Sequence, residues 1–335
     1  MRLTRVVRAL IGAGLASALA APLPARADIG SAGTSVAGFL VVPPGASGPG
    51  MAGTTLALSG DLSAAASNPA ALGGVPAFAL ALAHSELPDG SRHEWLSLGG
   101  KLGPLATRWG LSGLYAGQGS FEGRDASNQP TSNFTASSSA FGIALAQPLA
   151  RVATLGLGAQ LVSEDLAGTR GTGVTFDGGL LVHAGPIGLG ASAQNVSGGM
   201  TYGGTRYPFP ASYGAGLAVE HRGLRLEVDA NFPTDYYNDV RAGMEYRWRD
   251  RFALRAGYRR ELGADPTLEP LDGPSFGVGA GVHGLWFDYA YLPSAAGATE
   301  QRLGLVLMGG RPGFTGGELE QKRAPEPAPP PAPSP

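Results

Sequence analysis

The sequence predicts an all-β protein, a fourteen-stranded antiparallel transmembrane β-barrel, and three observations carry that expectation. From about Phe78 onward apolar and polar residues alternate with period two, the pattern of a strand whose two faces meet different surroundings. The alternating stretches number fourteen, an even count, and each is about the 9 to 11 residues that a tilted strand needs to cross a bilayer. The connections between them alternate short and long.

The start of the chain sets the compartment. Arg2, Arg5 and Arg8 precede an apolar run from Ala9 to Leu23, and Ala25-Arg26-Ala27 fits a small-x-small cleavage site, so residues 1–27 read as a secretory signal peptide. Only 15% of the residues are charged, against about a quarter in an ordinary soluble domain, which implies that something other than water solvates part of the surface. The 54 glycines follow no Gly-X-Y period and exclude a collagen. With no Cys, an exported chain has neither disulfides nor thiolate metal sites, and a net charge of −2 gives no reason for a nucleic-acid partner. The best candidate for a membrane helix, 62–83, is interrupted by Asn68, Pro69 and Pro76. Residues 311–335, dominated by Pro and Ala from Ala324, read as an extended periplasmic tail.

Residues 77–310 form the barrel, with strands expected at 77–86, 93–102, 107–117, 138–147, 153–164, 173–184, 187–196, 211–220, 223–232, 239–249, 251–261, 275–283, 285–292 and 301–309. The clearest is 223–232, where Leu224, Leu226, Val228, Ala230 and Phe232 alternate with Arg225, Glu227, Asp229 and Asn231. Short joints such as 185–186, 221–222, 249–250 and 283–284 alternate with longer polar ones such as 118–137, 165–172, 197–210 and 262–274. A soluble sandwich would also have strands and turns every ten residues or so, but it gives no reason to sort loop lengths by parity, and its outward face should be polar. Trp95, Trp109, Trp248 and Trp286 fall near strand ends, where a bilayer interface would place them.

Inward positions are of two kinds. Gly142, Gly156, Gly158, Gly188, Gly190, Gly214, Gly216, Gly277 and Gly279 leave space beside one wall, as Gly in a strand does where another backbone or a ligand approaches. The opposite wall carries Arg225, Glu227, Asp229, Arg241, Glu245, Arg247, Arg255 and Arg259, which can pair across strands as a ladder that fixes register; Asp177 and Asp288 also point inward.

Catalytic signatures do not hold in context. Gly279-Ala280-Gly281-Val282-His283-Gly284 matches a dinucleotide fingerprint as a string, but a strand follows where the motif needs a helix. Gly273-Pro274-Ser275-Phe276-Gly277 matches a nucleophile elbow, yet its Ser begins a strand after a long loop. The His residues are scattered without metal-ligand spacing. No enzyme, cofactor or metal site is expected.

The stretch "FLVVPPGASGPGMAG", then "ALSGDLSAAASNPAAL", then the strand series ending "SFGVGAGVHGLWFDYAYLPSAAGATEQRLGL" resembles the PorV/PorQ branch of the FadL-like outer-membrane proteins. Its most specific parts are Gly50-Met51-Ala52-Gly53, Asn68-Pro69-Ala70 and Phe287-Asp288-Tyr289-Ala290. The resemblance implies that residues 28–76 fold into the lumen as a hatch, with Gly50, Met51, Gly53, Asn68 and Pro69 at its turns. Slender residues suit a narrow lumen, and Asn68-Pro69 is expected to stop the last helical turn before the first strand.

The resemblance further implies an outer-membrane location among lipid and uptake of small hydrophobic compounds, bound against the Gly-lined wall and released when the hatch shifts. The alternatives are a PorV-like component or shuttle of a type IX-like secretion pathway, which would receive secreted proteins through its loops, and a surface or structural barrel. The loops 118–137 and 262–274 carry no aromatic cluster, which speaks against a protein-docking site, and the charged ladder speaks equally against a conduit that is greasy throughout; transport is the preferred expectation.

Overall fold

In the computed structural model, residues 33–103, 106–150, 152–202, 204–263, 272–293 and 299–309 are described. The expected signal peptide, residues 28–32 and the proline-rich tail lie outside them.

Fourteen strands close a barrel: β1 (Phe78–Glu86), β2 (Arg92–Leu102), β3 (Thr107–Phe121), β4 (Phe134–Ala150), β5 (Ala153–Leu166), β6 (Thr169–Ala184), β7 (Ile187–Gln194), β10 (Ser212–His221), β11 (Leu224–Pro233), β12 (Asn238–Trp248), β13 (Phe252–Leu262), β14 (Gly273–Val282), β15 (Leu285–Pro293) and β16 (Thr299–Gly309). A separate hairpin, β8 (Gly199–Tyr202) and β9 (Thr205–Pro208), sits in the connection between β7 and β10. Every neighbouring pair is antiparallel, and β1 joins β16 with Phe78 opposite Gly309 and Glu86 opposite Gln301. Closure leaves no sheet edge, as a bilayer requires of any strand that enters it.

The alternation predicted from sequence becomes inside and outside. On β11 the exposed Leu224, Leu226 and Val228 alternate with the buried Arg225, Glu227 and Asp229. Around the barrel Phe141, Leu157, Leu254, Phe287 and Leu303 are more than half exposed, and similar side chains face outward on almost every strand. Each would gain roughly 1.5–3 kcal/mol by leaving water. A closed barrel with this outer belt is an outer-membrane barrel, with lipid as its solvent.

Two-residue turns close one end. Arg222-Gly223, Arg249-Asp250 and His283-Gly284 all have positive φ at both positions, the backbone whose twist matches that of the flanking strands.

The other end departs from the expected pattern in two places. The connection 165–172, expected to be a long loop, is strand except for Ala167-Gly168, both with positive φ, and Asp165 caps the turn by accepting from the Gly168 amide at 2.9 Å. This hairpin reads as polar because it projects beyond the apolar belt, not because it is irregular. Likewise β3 and β4 run on to Phe121 and Phe134, whose rings stack at 5.3 Å.

Two of the four tryptophans also depart from the interface role. Trp95 points into the lumen and is 6% exposed, and Trp286 faces inward beneath the Arg247 guanidinium at 5.2 Å. Proximity to a strand end did not reveal which face each ring takes. Trp248 does lie outward, stacked on Phe252.

Candidate functional site

Residues 33–76 lie inside the barrel. Too small and apolar to pack as a helix bundle and too poor in charge to stand in water, they form short 3-10 turns at Gly38–Val41, Pro49–Met51, Ala64–Ala66 and Pro69–Gly74. Most are buried.

Their path follows the glycines of the wall. Ala46 meets Gly304 on β16, Gly50 meets Gly277 on β14, and Met51 meets Gly257 and Gly243 on β13 and β12. Leu56 meets Gly216 and Gly190 on β10 and β7, then Asn68 and Ala70 meet Gly179 and Gly156 on β6 and β5, and Leu72 meets Gly110 on β3. At Gly190 an added Cβ would lie 1.9 Å from the Leu56 carbonyl oxygen, and at Gly156 2.1 Å from the Ala70 nitrogen, so any side chain there would expel the segment. The expected Gly-lined wall is therefore not one wall: glycines run around most of the barrel, including the charged side, and the segment fills the space that most of them leave, while Gly142 and Gly158 border a remaining cavity.

Hydrogen bonds fasten the segment where the wall is charged. Asp229 Oδ2 accepts from the Thr55 and Leu56 amides at 2.9 and 3.2 Å, and Glu227 Oε1 accepts from the Ala57 amide at 2.8 Å. Ser275 Oγ, which stands in the elbow-like string, accepts from the Ala52 amide at 2.7 Å, and Arg302 donates to the Pro43 carbonyl. Gly53 has a positive φ and turns the chain beside the Arg241 guanidinium.

The rest of the charged set pairs across strands. Arg255 bridges Glu245 and Asp288 at 2.6 Å each, linking β13 to β12 and β15. Arg225 reaches Glu245 at 3.6 Å and Glu220 at 2.5 Å, and Arg247 lies 2.9 Å from Glu245. Asp239 gathers Arg241 at 2.7 Å and Arg259 at 3.0 Å. Sequence reasoning named the arginines and Glu245 but missed Asp239, Glu220, Arg302 and Ser275; their inward parity on the same strands was the available signal.

Asn68 ends one turn and begins another. Its amide donates to the Ala64 carbonyl at 2.8 Å and its extended backbone stops the Ala64–Ala66 turn, but a further turn follows before the first strand. Asn68 caps Pro69–Gly74 by accepting from the Ala70 amide at 3.1 Å, with Pro69 at the first position where a missing N–H costs nothing. Fully buried, it also donates to the Leu56 carbonyl at 2.7 Å and the Leu180 carbonyl of β6 at 3.4 Å. One side chain thus joins two passes of the segment and the wall.

At the long-loop end, β8 and β9 cover the start of the segment: Met200 and Phe209 pack with Ala37, and the Val36 amide donates to the Pro208 carbonyl at 3.0 Å. Tyr202 on β8 donates to Glu164 Oε2 at 3.0 Å. Burial first, and then the Glu164 carboxylate, push this phenol above its ordinary value, so it remains a donor.

On the side where β2–β6 face the segment, a cavity of about 70 Å³ remains. Leu40, Val42, Leu62 and Leu72 of the segment form one side, and Trp95, Leu114, Ala140 and Ala144 of the wall the other, with Ser97, Ser112, Gln160 and Asp177 as its polar groups. A second concavity, about 1180 Å³, is a groove on the outer face between outward rows that include Leu82, Leu96, Phe252, Leu254 and Phe287. It belongs to the lipid-facing surface.

The strings that mimic catalytic motifs lie on β14 and its turn, with strand β15 following. Among the described residues no group of His, Cys, Asp and Glu is placed to hold a metal ion.

No family model matches the sequence, and no curated protein matches it. Among solved structures, the chain is similar to the toluene transporter TodX of P. putida, with a TM-score of 0.57 and 16% identity over 78% of this chain and 96% of that one. It is also similar to the TodX deltaS2S3 mutant, described as a monoaromatic hydrocarbon channel, with a TM-score of 0.54 and 16% identity over 78% and 97% of the two chains. At this identity the likeness is one of fold.

Proposed function

We propose that the chain is an outer-membrane channel for the uptake of small hydrophobic compounds, closed in this structure by residues 33–76. The observation that carries this reading is the cavity bounded by the apolar side chains of Leu62 and Leu72 of the segment and Trp95 and Leu114 of the wall. Its volume of about 70 Å³ is the room of roughly two waters at ~30 Å³ each, so a monoaromatic solute enters only as the segment gives way. Apolar walls favour such a solute by the free energy of leaving water, and the segment then opens the route. The fold it shares with a toluene transporter supports the same reading.

The chain has no Cys, so a reducible lock can be introduced on a clean background. An added Cβ at Gly73 would lie 3.3 Å from Thr154 Cβ on β5, close to the separation of a disulfide, so Gly73→Cys with Thr154→Cys can lock the segment on this side. Cells with an intact outer membrane that express the oxidised double variant are expected to take up labelled toluene no faster than cells without the protein, and a reductant should restore uptake. Equal uptake in the oxidised and reduced states would sink the channel reading.

A further inference from the structure

We propose that Asp177 and its neighbours form a head-group site, and that the solute this channel prefers is a small apolar molecule carrying one hydrogen-bond-donating group, a hydroxyl or an ammonium. The inference rests on the uptake reading and names the substrate class of that same cavity.

Asp177 lines the cavity, is only 8% exposed, and sits against Pro69 of the segment beside Gly158. The buried Glu245, Asp288 and Asp239 each pair with an arginine. Asp177 has only neutral donors: Gln160 Nε2 to Oδ2 at 2.9 Å and the Asn195 amide to Oδ1 at 2.8 Å. Among the described residues no cationic side chain lies within ion-pair distance of it. Each carboxylate oxygen keeps a lone pair, and a buried carboxylate without a cation is costly unless a donor reaches it.

Gln160 lines the same cavity beside Asp177, and the other walls there include Leu62, Leu72, Trp95 and Leu114. A buried carboxylate with a polar neighbour at one end of such a cavity is the arrangement that orients an amphiphile. A hydroxyl can donate to Asp177, and an ammonium can donate to both Asp177 and the Gln160 side-chain oxygen.

Toluene, benzyl alcohol and benzylamine share a ring and differ in that one group. In cells with an intact outer membrane, the protein-dependent uptake of benzyl alcohol or benzylamine is expected to exceed that of toluene. In Asp177→Asn that ratio should fall roughly tenfold, the worth of one hydrogen bond to a charged group. Which probe loses more tells whether the natural head is neutral or charged. Should Asp177→Asn fail to show the mobility shift of a folded barrel on an unboiled gel, Gln160→Met tests the same site, with a smaller fall in the benzylamine ratio expected. Uptake of all three compounds at a ratio unchanged by either variant overturns the head-group site and leaves the channel standing. No protein-dependent uptake of any of them overturns both.

Discussion

The two sides of the lumen hold the N-terminal segment in different ways. Along β11 to β16, residues 43–57 are tied by directional bonds to Arg302, Ser275, Asp229 and Glu227, and the strands carrying those groups are laced together by Arg255, Glu245 and Asp288. Along β2 to β6, residues 58–75 rest mainly on apolar packing, with Arg108 donating to the Val75 carbonyl at 2.7 Å and Asn68 to the Leu180 carbonyl at 3.4 Å as polar ties, and the cavity left beside them. Both sides present glycines so that the segment's backbone can lie close, and both set charge next to them. On the first the charges are many and paired, as in Arg241-Gly243-Glu245 and Arg255-Gly257-Arg259, whereas Arg108 beside Gly110 and Asp177 beside Gly179 form no ion pair among the described residues. The difference assigns roles: the charged side is the anchor, and the apolar side is where the segment can move.

The largest expected effect breaks the anchor itself. Arg255→Met would leave Glu245 without its closest partner and Asp288 without an ion-pair partner among the described residues, both nearly fully buried. Removing one member of a buried ionic group costs about 3–5 kcal/mol, so the unfolding midpoint of the variant in detergent, followed by gel mobility and denaturant titration, should drop well below that of the parent. A midpoint within error of the parent would show that the lattice does not bind these strands.

A smaller effect is expected from loosening the grip without cutting the lattice. Asp229→Leu leaves the Thr55 and Leu56 amides buried without their acceptor, at about 1–3 kcal/mol for each unpaired donor. The barrel should still close, but hydrogen exchange at residues 52–57 should speed up by orders of magnitude. Unchanged protection there would mean that packing against Gly190 and Gly216, and not the carboxylate, holds the segment.

The barrel was legible in the sequence because its information is local. A strand such as 223–232 declares its two faces within ten residues, and lipid outside makes one face apolar without interruption. The segment was not legible in this way, because its contacts join residues more than a hundred positions apart, such as Thr55 with Asp229 and Asn68 with Leu180. No periodicity records that a Gly on β7 exists to admit Leu56. Asn68 was read as the end of a turn, which it is for Ala64–Ala66, but the second turn it begins was not legible, since Asn-Pro can flank a turn on either side and only the bond to Ala70 reveals the other. The inward parity of Asp177 was readable, whereas its lack of a cation depends on which strands become its neighbours.

The comparison makes its sharpest demand where the expected effect is smallest. An added Cβ at Gly304 would lie 3.4 Å from that of Ala46, close to the separation of a disulfide, so Ala46→Cys with Gly304→Cys can lock the segment on the charged side without moving it. If that side is only an anchor, locking it removes nothing the channel uses, and toluene uptake should be the same oxidised and reduced. The Gly73–Thr154 lock, on the same segment and with the same chemistry, should stop uptake. Loss of uptake with both locks would mean that the whole segment moves as one body, and the bonds from Asp229 and Glu227 would then be contacts broken in every cycle of opening.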